Sequence, residues 1–104
     1  MLPDELWCNK ETGGKVYVGS AENAADVAGM SELNIFHIVN AQVMKSKNYH
    51  ENDERFTYLG FPIGTSSDCP FFDKTSVGYL RFINPLVSFI DEVTSQGKNV
   101  LIHC

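Results

Sequence analysis

The sequence predicts an α/β domain built on a mostly parallel central sheet flanked by helices. Three observations carry that prediction. Short runs rich in β-branched and aromatic residues, at 16–18, 35–40, 56–61 and 100–102, read as strands. The last of them, Val100, Leu101 and Ile102, is apolar at every position, as a parallel strand covered on both faces is. The segments between them order the elements strand–helix–strand–strand–helix–strand, which is the α/β pattern.

Residues 1–14 read as an irregular approach closing on the turn pair Gly13-Gly14, with Leu2, Leu6 and Trp7 packing onto the domain. The 16–18 strand stops at Gly19. Ser20 is a good N-cap, with Asn23 where a capping box usually has Glu or Gln. A short Ala-rich helix over 21–28 follows, continuing or restarting around 30–33. Asn34 stands where a left-handed residue ends a helix. The 35–40 strand comes next, then a charged surface loop over 41–55 and the 56–61 strand, stopped by Pro62. A turn-rich loop covers 62–73.

From 73 to 95, Leu80, Ile83, Val87 and Ile90 recur at helical spacing, and Phe82, Leu86, Phe89 and Val93 widen the stripe. An apolar arc that broad predicts a helix buried on more than one side. Pro85 predicts a kink or a split. Gly97 marks the stop, and residues 98–104 form the last strand. That strand delivers His103 and Cys104 at its carboxyl end, the edge where open α/β sheets bind ligands.

The 104 residues suffice for one small domain. A net charge of -5 without a basic cluster argues against nucleic acid and anionic membrane as partners. Three cysteines, Cys8, Cys69 and Cys104, lack any C-x-x-C pair, so a reducing, cytoplasmic or nuclear setting is expected. No basic n-region or long apolar span suggests a signal peptide or membrane helix. Tyr49, His50, Glu51 and Asp53 read as a solvated loop, since their spacing fits no common metal site. His37 reads as a packed core or edge histidine, and Cys69 as a turn or buried thiol.

The run Val16-Tyr17-Val18-Gly19-Ser20-Ala21-Glu22-Asn23, then Leu33-Asn34-Ile35, Ile38-Val39-Asn40, Tyr58-Leu59, Phe89-Ile90-Asp91 and Val100-Leu101-Ile102-His103-Cys104, resembles the dual-specificity protein phosphatases in its ordered set. The likeness covers roughly residues 15 to 104. It implies an incomplete phosphatase-like catalytic domain, lacking the carboxyl-terminal helices. It further implies a metal-free, cofactor-free enzyme acting on phosphorylated proteins, at phosphotyrosine and at phosphoserine or phosphothreonine.

By that resemblance Cys104 is the nucleophile and passes through a phosphocysteine, while His103 supports the loop behind it. A thiolate suits attack on a phosphate dianion once its pKa is lowered. The general acid is Asp73, by its separation from Phe89-Ile90-Asp91, or Asp68, if Asp68 and Asp73 form the family's Asp-x-x-x-x-Asp pair. The bland alternatives are a capping Asp73, a turn Asp68, and His103 and Cys104 as core residues at a strand end.

In the family, five loop residues and an Arg follow the Cys, and this sequence matches only the His and Cys of that motif. The 104 residues alone are therefore expected to be inactive, with Val100 and Ile102 on a bare apolar face. A catalytically dead phosphatase-like binding module is the second reading. A rhodanese-like sulfur carrier is a third, weaker one.

Overall fold

The computed structural model describes residues 1–41, 47–61 and 76–103, with side chains in the last stretch from Ile83 onward. The elements run β1 (Asp4–Cys8), β2 (Lys15–Gly19), α1 (Ala21–Ala25), α2 (Val27–Glu32), β3 (Ile35–Asn40), β4 (Thr57–Gly60), α3 (Ser76–Ser95) and β5 (Asn99–His103). The five strands form one sheet in the order β1-β2-β5-β3-β4. Strands β2, β5, β3 and β4 are parallel and β1 joins β2 antiparallel. The α/β expectation holds, with a mostly parallel sheet flanked by helices.

Strand β5 explains its own composition. Successive strand residues face opposite sides of a sheet. Leu101 enters a core with Tyr17, Ala24, Met30, Ile35, Ile38 and Phe56, on the side of α1 and α2. Val100 enters a second core with Val39, Phe61 and Val93, on the side of α3, where Ile102 packs against it. Val100 and Leu101 are both fully buried. Burying each contributes about 1.5–3 kcal/mol. The expected bare face therefore does not include Val100, because Phe89, Ile90 and Val93 of α3 lie on it.

Three other expectations are corrected. Residues 4–8 are not irregular but form an edge strand, and a register shift interrupts its pairing between Glu5 and Trp7. The polar Asp4-Glu5 start hid this strand, since it lacks the usual apolar alternation. Its turn is built by Asn9, whose Oδ1 accepts from the amides of Glu11 (2.9 Å) and Thr12 (3.2 Å). Leu2, Leu6 and Trp7 stay exposed, the last two on an edge strand that meets a neighbour on one side only.

The third correction concerns α3. It runs unbroken from 76 to 95 through Pro85, so it does not split. Pro85 is exposed, and its missing amide is outweighed by the apolar face laid on the sheet. Nor is the described part of α3 buried on more than one side, as its broad apolar arc predicted. Val93 is buried and Ile83, Leu86, Phe89 and Ile90 are half-buried, but Val87 is exposed.

Local signals behave as their chemistry dictates. Ser20 and Asn23 make a complete capping box despite the Asn at its third position: Ser20 Oγ accepts the Asn23 amide and Asn23 Oδ1 accepts the Ser20 amide. Asp26 ends α1 and starts α2, its Oδ1 accepting from the Gly29 amide at 3.0 Å, so the helix restarts at Val27. Gly14 passes so close to α3 that an added Cβ would lie 2.5 Å from the Thr94 carbonyl oxygen.

Asn34 has φ 54°, the left-handed conformation expected of it. Glycine adopts that geometry freely, whereas a β-branched side chain is strained there. Asn34→Gly should leave the urea midpoint nearly unchanged, while Asn34→Val should cost about 1–2 kcal/mol by the same measurement.

His37 lies against the ring of Phe89, with centroids 6.2 Å apart. Burial, and then the nearby Lys98 ammonium, push its pKa below the ordinary 6.5. The folded chain thus binds this proton less tightly than the unfolded chain. The associated stability is complete above about pH 6.5 and falls as pH drops through the lower folded value. Asp53, held at about 2 by its Arg55 partner, titrates well below that window. The melting temperature should therefore be lower at pH 5 than at pH 7.5, and His37→Gln should narrow the difference.

Candidate active site at the carboxyl edge of the sheet

The parallel register brings four strand ends to one edge. Gly19 of β2 and Asn40 of β3 both lie beside His103 of β5, and Gly60 of β4 lies beside Asn40. His103 and Asn40 are fully buried polar residues in this apolar setting. Such groups are retained only where hydrogen bonds compensate their desolvation.

The backbone at this edge is closed by two further bonds. The Ala41 amide donates to the His103 carbonyl and the Phe61 amide donates to the Asn40 carbonyl, both at 2.9 Å. The chain leaving β3 is thereby tied to the residue that precedes Cys104, and the chain leaving β4 is tied to Asn40 beside it.

The side chain of Asn40 reaches into the 47–50 segment, its Nδ2 donating to Asn48 Oδ1 at 3.1 Å. Asn48 Nδ2 in turn reaches Glu51 Oε1 at 3.5 Å. The next residue, Tyr49, sets its ring against His103, with centroids 6.1 Å apart and planes tilted by 48°. The His50 amide donates to the Tyr58 hydroxyl at 2.9 Å, and His50 Nε2 lies 2.9 Å from the Ala25 carbonyl oxygen. Burial raises the Tyr58 pKa, so this phenol stays protonated and hydrogen-bonding at neutral pH.

The 47–58 segment is therefore a strap from β4 across to α1, fastened over the carboxyl edge. Its polar side chains have structural employment: Asp53 forms a two-point pair with Arg55. Among the described residues, no three His, Cys, Asp or Glu side chains are grouped to hold a metal.

Of the residues singled out from sequence, His103 is placed at this edge. Cys104, Asp73, Asp68 and Cys69 lie outside the described residues. Cys8 is a free, half-buried thiol on the edge strand. Sequence reasoning gave no role to Asn40, Asn48 or Tyr49. Asn40 carried a usable signal, since an amide ending an otherwise apolar strand must find a partner once buried. Tyr49 carried none, because its contact with His103 is made across 54 residues.

The sheet order and register define the class, an α/β domain with four parallel strands and an antiparallel edge strand. Within that class the chain belongs to the dual-specificity phosphatases: residues 16–104 match the family described as "Dual specificity phosphatase, catalytic domain". Human dual specificity protein phosphatase 9 is 33% identical over 89 residues, covering 86% of this chain and 21% of that protein. Human dual specificity protein phosphatase 7 is 29% identical over 89 residues, covering 86% of this chain and 19% of its own length. A probable rhodanese domain-containing dual specificity protein phosphatase of Dictyostelium discoideum is also 29% identical over 89 residues, covering 86% and 16%. The chain thus spans a fifth or less of the length of the last two relatives and 21% of the first. No helix among the described residues is long and apolar enough to cross a membrane.

Asn40→Ala should release the strap. It leaves Asn48 without this donor and should cost about 1–3 kcal/mol in urea denaturation. Hydrogen exchange at the His50 amide should quicken with it. Unchanged exchange at His50 would show that Asn40 does not hold the segment.

Proposed function

We propose that residues 1–104 are the amino-terminal part of a protein phosphatase catalytic domain, with Cys104 as its nucleophile. The observation that carries this reading is His103, buried at the carboxyl end of the central strand, with Cys104 the next residue in the chain. The family match over 16–104 supports it and favours it over a sulfur carrier. The substrate class is a phosphorylated protein, bearing phosphotyrosine and phosphoserine or phosphothreonine.

The chemistry runs in two steps. The Cys104 thiolate attacks phosphorus, the bond from phosphorus to the side-chain oxygen breaks, and that oxygen takes a proton from the general acid. The acid is Asp73 or Asp68. Water then attacks the phosphocysteine, giving its proton to the same carboxylate, and phosphate and the thiolate are released. His103 supports the chain behind the nucleophile rather than exchanging protons with substrate.

The family's Arg and the backbone amides of the loop after the Cys are what lower the thiol pKa and bind the phosphoryl oxygens. Neither is supplied by residues 1–104. Residues 1–104 by themselves are therefore inactive on this reading.

The test compares residues 1–104 with a chimera in which the segment of human dual specificity protein phosphatase 9 that follows its matched region is joined after Cys104. The chimera should hydrolyse para-nitrophenyl phosphate, and Cys104→Ser should lower kcat by about a thousandfold or more. Either Asp73→Asn or Asp68→Asn should lower it by about 10²–10⁴-fold on protein substrates, identifying the acid. Turnover by residues 1–104 that survives Cys104→Ser would overturn the proposal. So would a folded, inactive chimera that still binds phosphopeptides, which is the behaviour of a binding module.

A further inference from the structure

The opposite edge of the sheet holds a cleft of about 800 Å³, within the size range of small-molecule sites. It opens where β2 and β5 begin and where α2 turns into β3, with Lys15, Asn34 and Asn99 in its lining. A five-residue strand separates Asn99 from His103, a distance of about 13 Å. The cleft is thus distinct from the candidate active site. All the described residues with positive φ, Gly13, Asn34 and Gly97, line it, so it is formed where three tight turns converge.

Its charge departs from that of the chain. The sequence carries 13 acidic against 8 basic residues. The cleft lining has Lys15, Arg55 and Lys98 against the single carboxylate of Glu32. Lys98 is exposed and forms no ion pair among the described residues. Lys15 pairs with Glu5 at 3.0 Å and Arg55 with Asp53 at 2.7 Å, both at the solvent surface. A single-contact exposed pair such as Lys15–Glu5 is worth no more than about 1 kcal/mol, so Lys15 can be redirected towards a bound anion, while Arg55, held at two points by Asp53, adds its charge from where it stands.

The walls are apolar. Tyr17 is buried and Leu33 and Phe36 are half-buried, and all three line the cleft. Polar charge at the mouth and aromatic surface within suit a ligand that carries both features. We propose that this cleft is a second binding site, for a small organic anion with a planar apolar body. The anionic group sits by Lys98 with Lys15 and Arg55 in reach, and the planar body lies against Phe36 and Leu33. This inference does not rest on the phosphatase reading.

Naphthalene-1-sulfonate, which has no phosphoester bond to be cleaved, is the probe. Titrated into the ¹⁵N-labelled 104-residue chain, it should shift the amides of Asn34, Gly97, Lys98 and Asn99 saturably. Lys98→Glu, at an exposed position, should weaken binding by about tenfold through charge reversal, and Glu32→Gln should strengthen it. The uncharged naphthalene-1-methanol should bind at least about tenfold more weakly. Shifts centred on the exposed Leu6, Trp7 and Val87 or on the His103 edge would overturn the proposal. Binding unaltered by Lys98→Glu, or equal affinity for the uncharged analogue, would overturn it as well.

Discussion

The structure depends on a strand that comes last in the chain and lies in the middle of the sheet. Strand β5 hydrogen-bonds to β2 on one side and β3 on the other. Its residues supply both cores, Leu101 to one face and Val100 to the other. Removing either large side chain from so enclosed a position would cost about 2–5 kcal/mol. Its amino end is secured by one amide: Asn99 Oδ1 accepts from Lys15 N and Asn99 Nδ2 donates to the Leu33 carbonyl, each at 2.8 Å. A single side chain thus sets the start of β2, the end of α2 and the start of β5 relative to one another. Parallel pairing between residues this distant in sequence brings a large loop-closure cost that only the completed core repays.

The same register gives the two edges different chemistry. At the carboxyl edge, His103 and Asn40 are buried side by side, and the Asn40–Asn48 bond draws Tyr49 over the histidine. That edge is closely tied, which suits support for a reactive group. At the amino edge, three turns and the Asn99 side-chain amide frame the space, and basic residues collect around it. The proposed phosphatase site accounts for the first edge. It leaves the second without a role, although Asn99 connects it directly to the strand that ends at His103.

Much of this architecture was legible in the residues. The 35–40 strand is found at Ile35–Asn40, and the left-handed Asn34 and the Gly97 stop follow from turn chemistry alone. These features depend on neighbours a few residues away. Strand β1 was not legible, because Asp4 and Glu5 resemble a polar terminus and gain strand geometry only by pairing with β2. Of the kink or split that Pro85 predicts, the split is absent for a related reason: the local penalty of about 3 kcal/mol acts against a sheet that holds the helix. Asp26 separating α1 from α2 lay between, since an Asp can sit inside a helix or cap one, and here it caps.

The sequence by itself determined the class of fold, the direction of the central strand, and the family to which His103 and Cys104 belong as an ordered pair. Those properties are written in periodicity, turn residues and a linear pattern, all of which exist before folding. Tertiary structure alone decided what stands beside His103 and what gathers at the far edge. The β2–β5–β3 register sets Asn40 beside the histidine, Asn40 holds Asn48 and Tyr49 lies against the histidine ring, and Lys15, Arg55 and Lys98 share a cleft at the other edge. A register is a property of paired strands, so no single stretch of chain contains it.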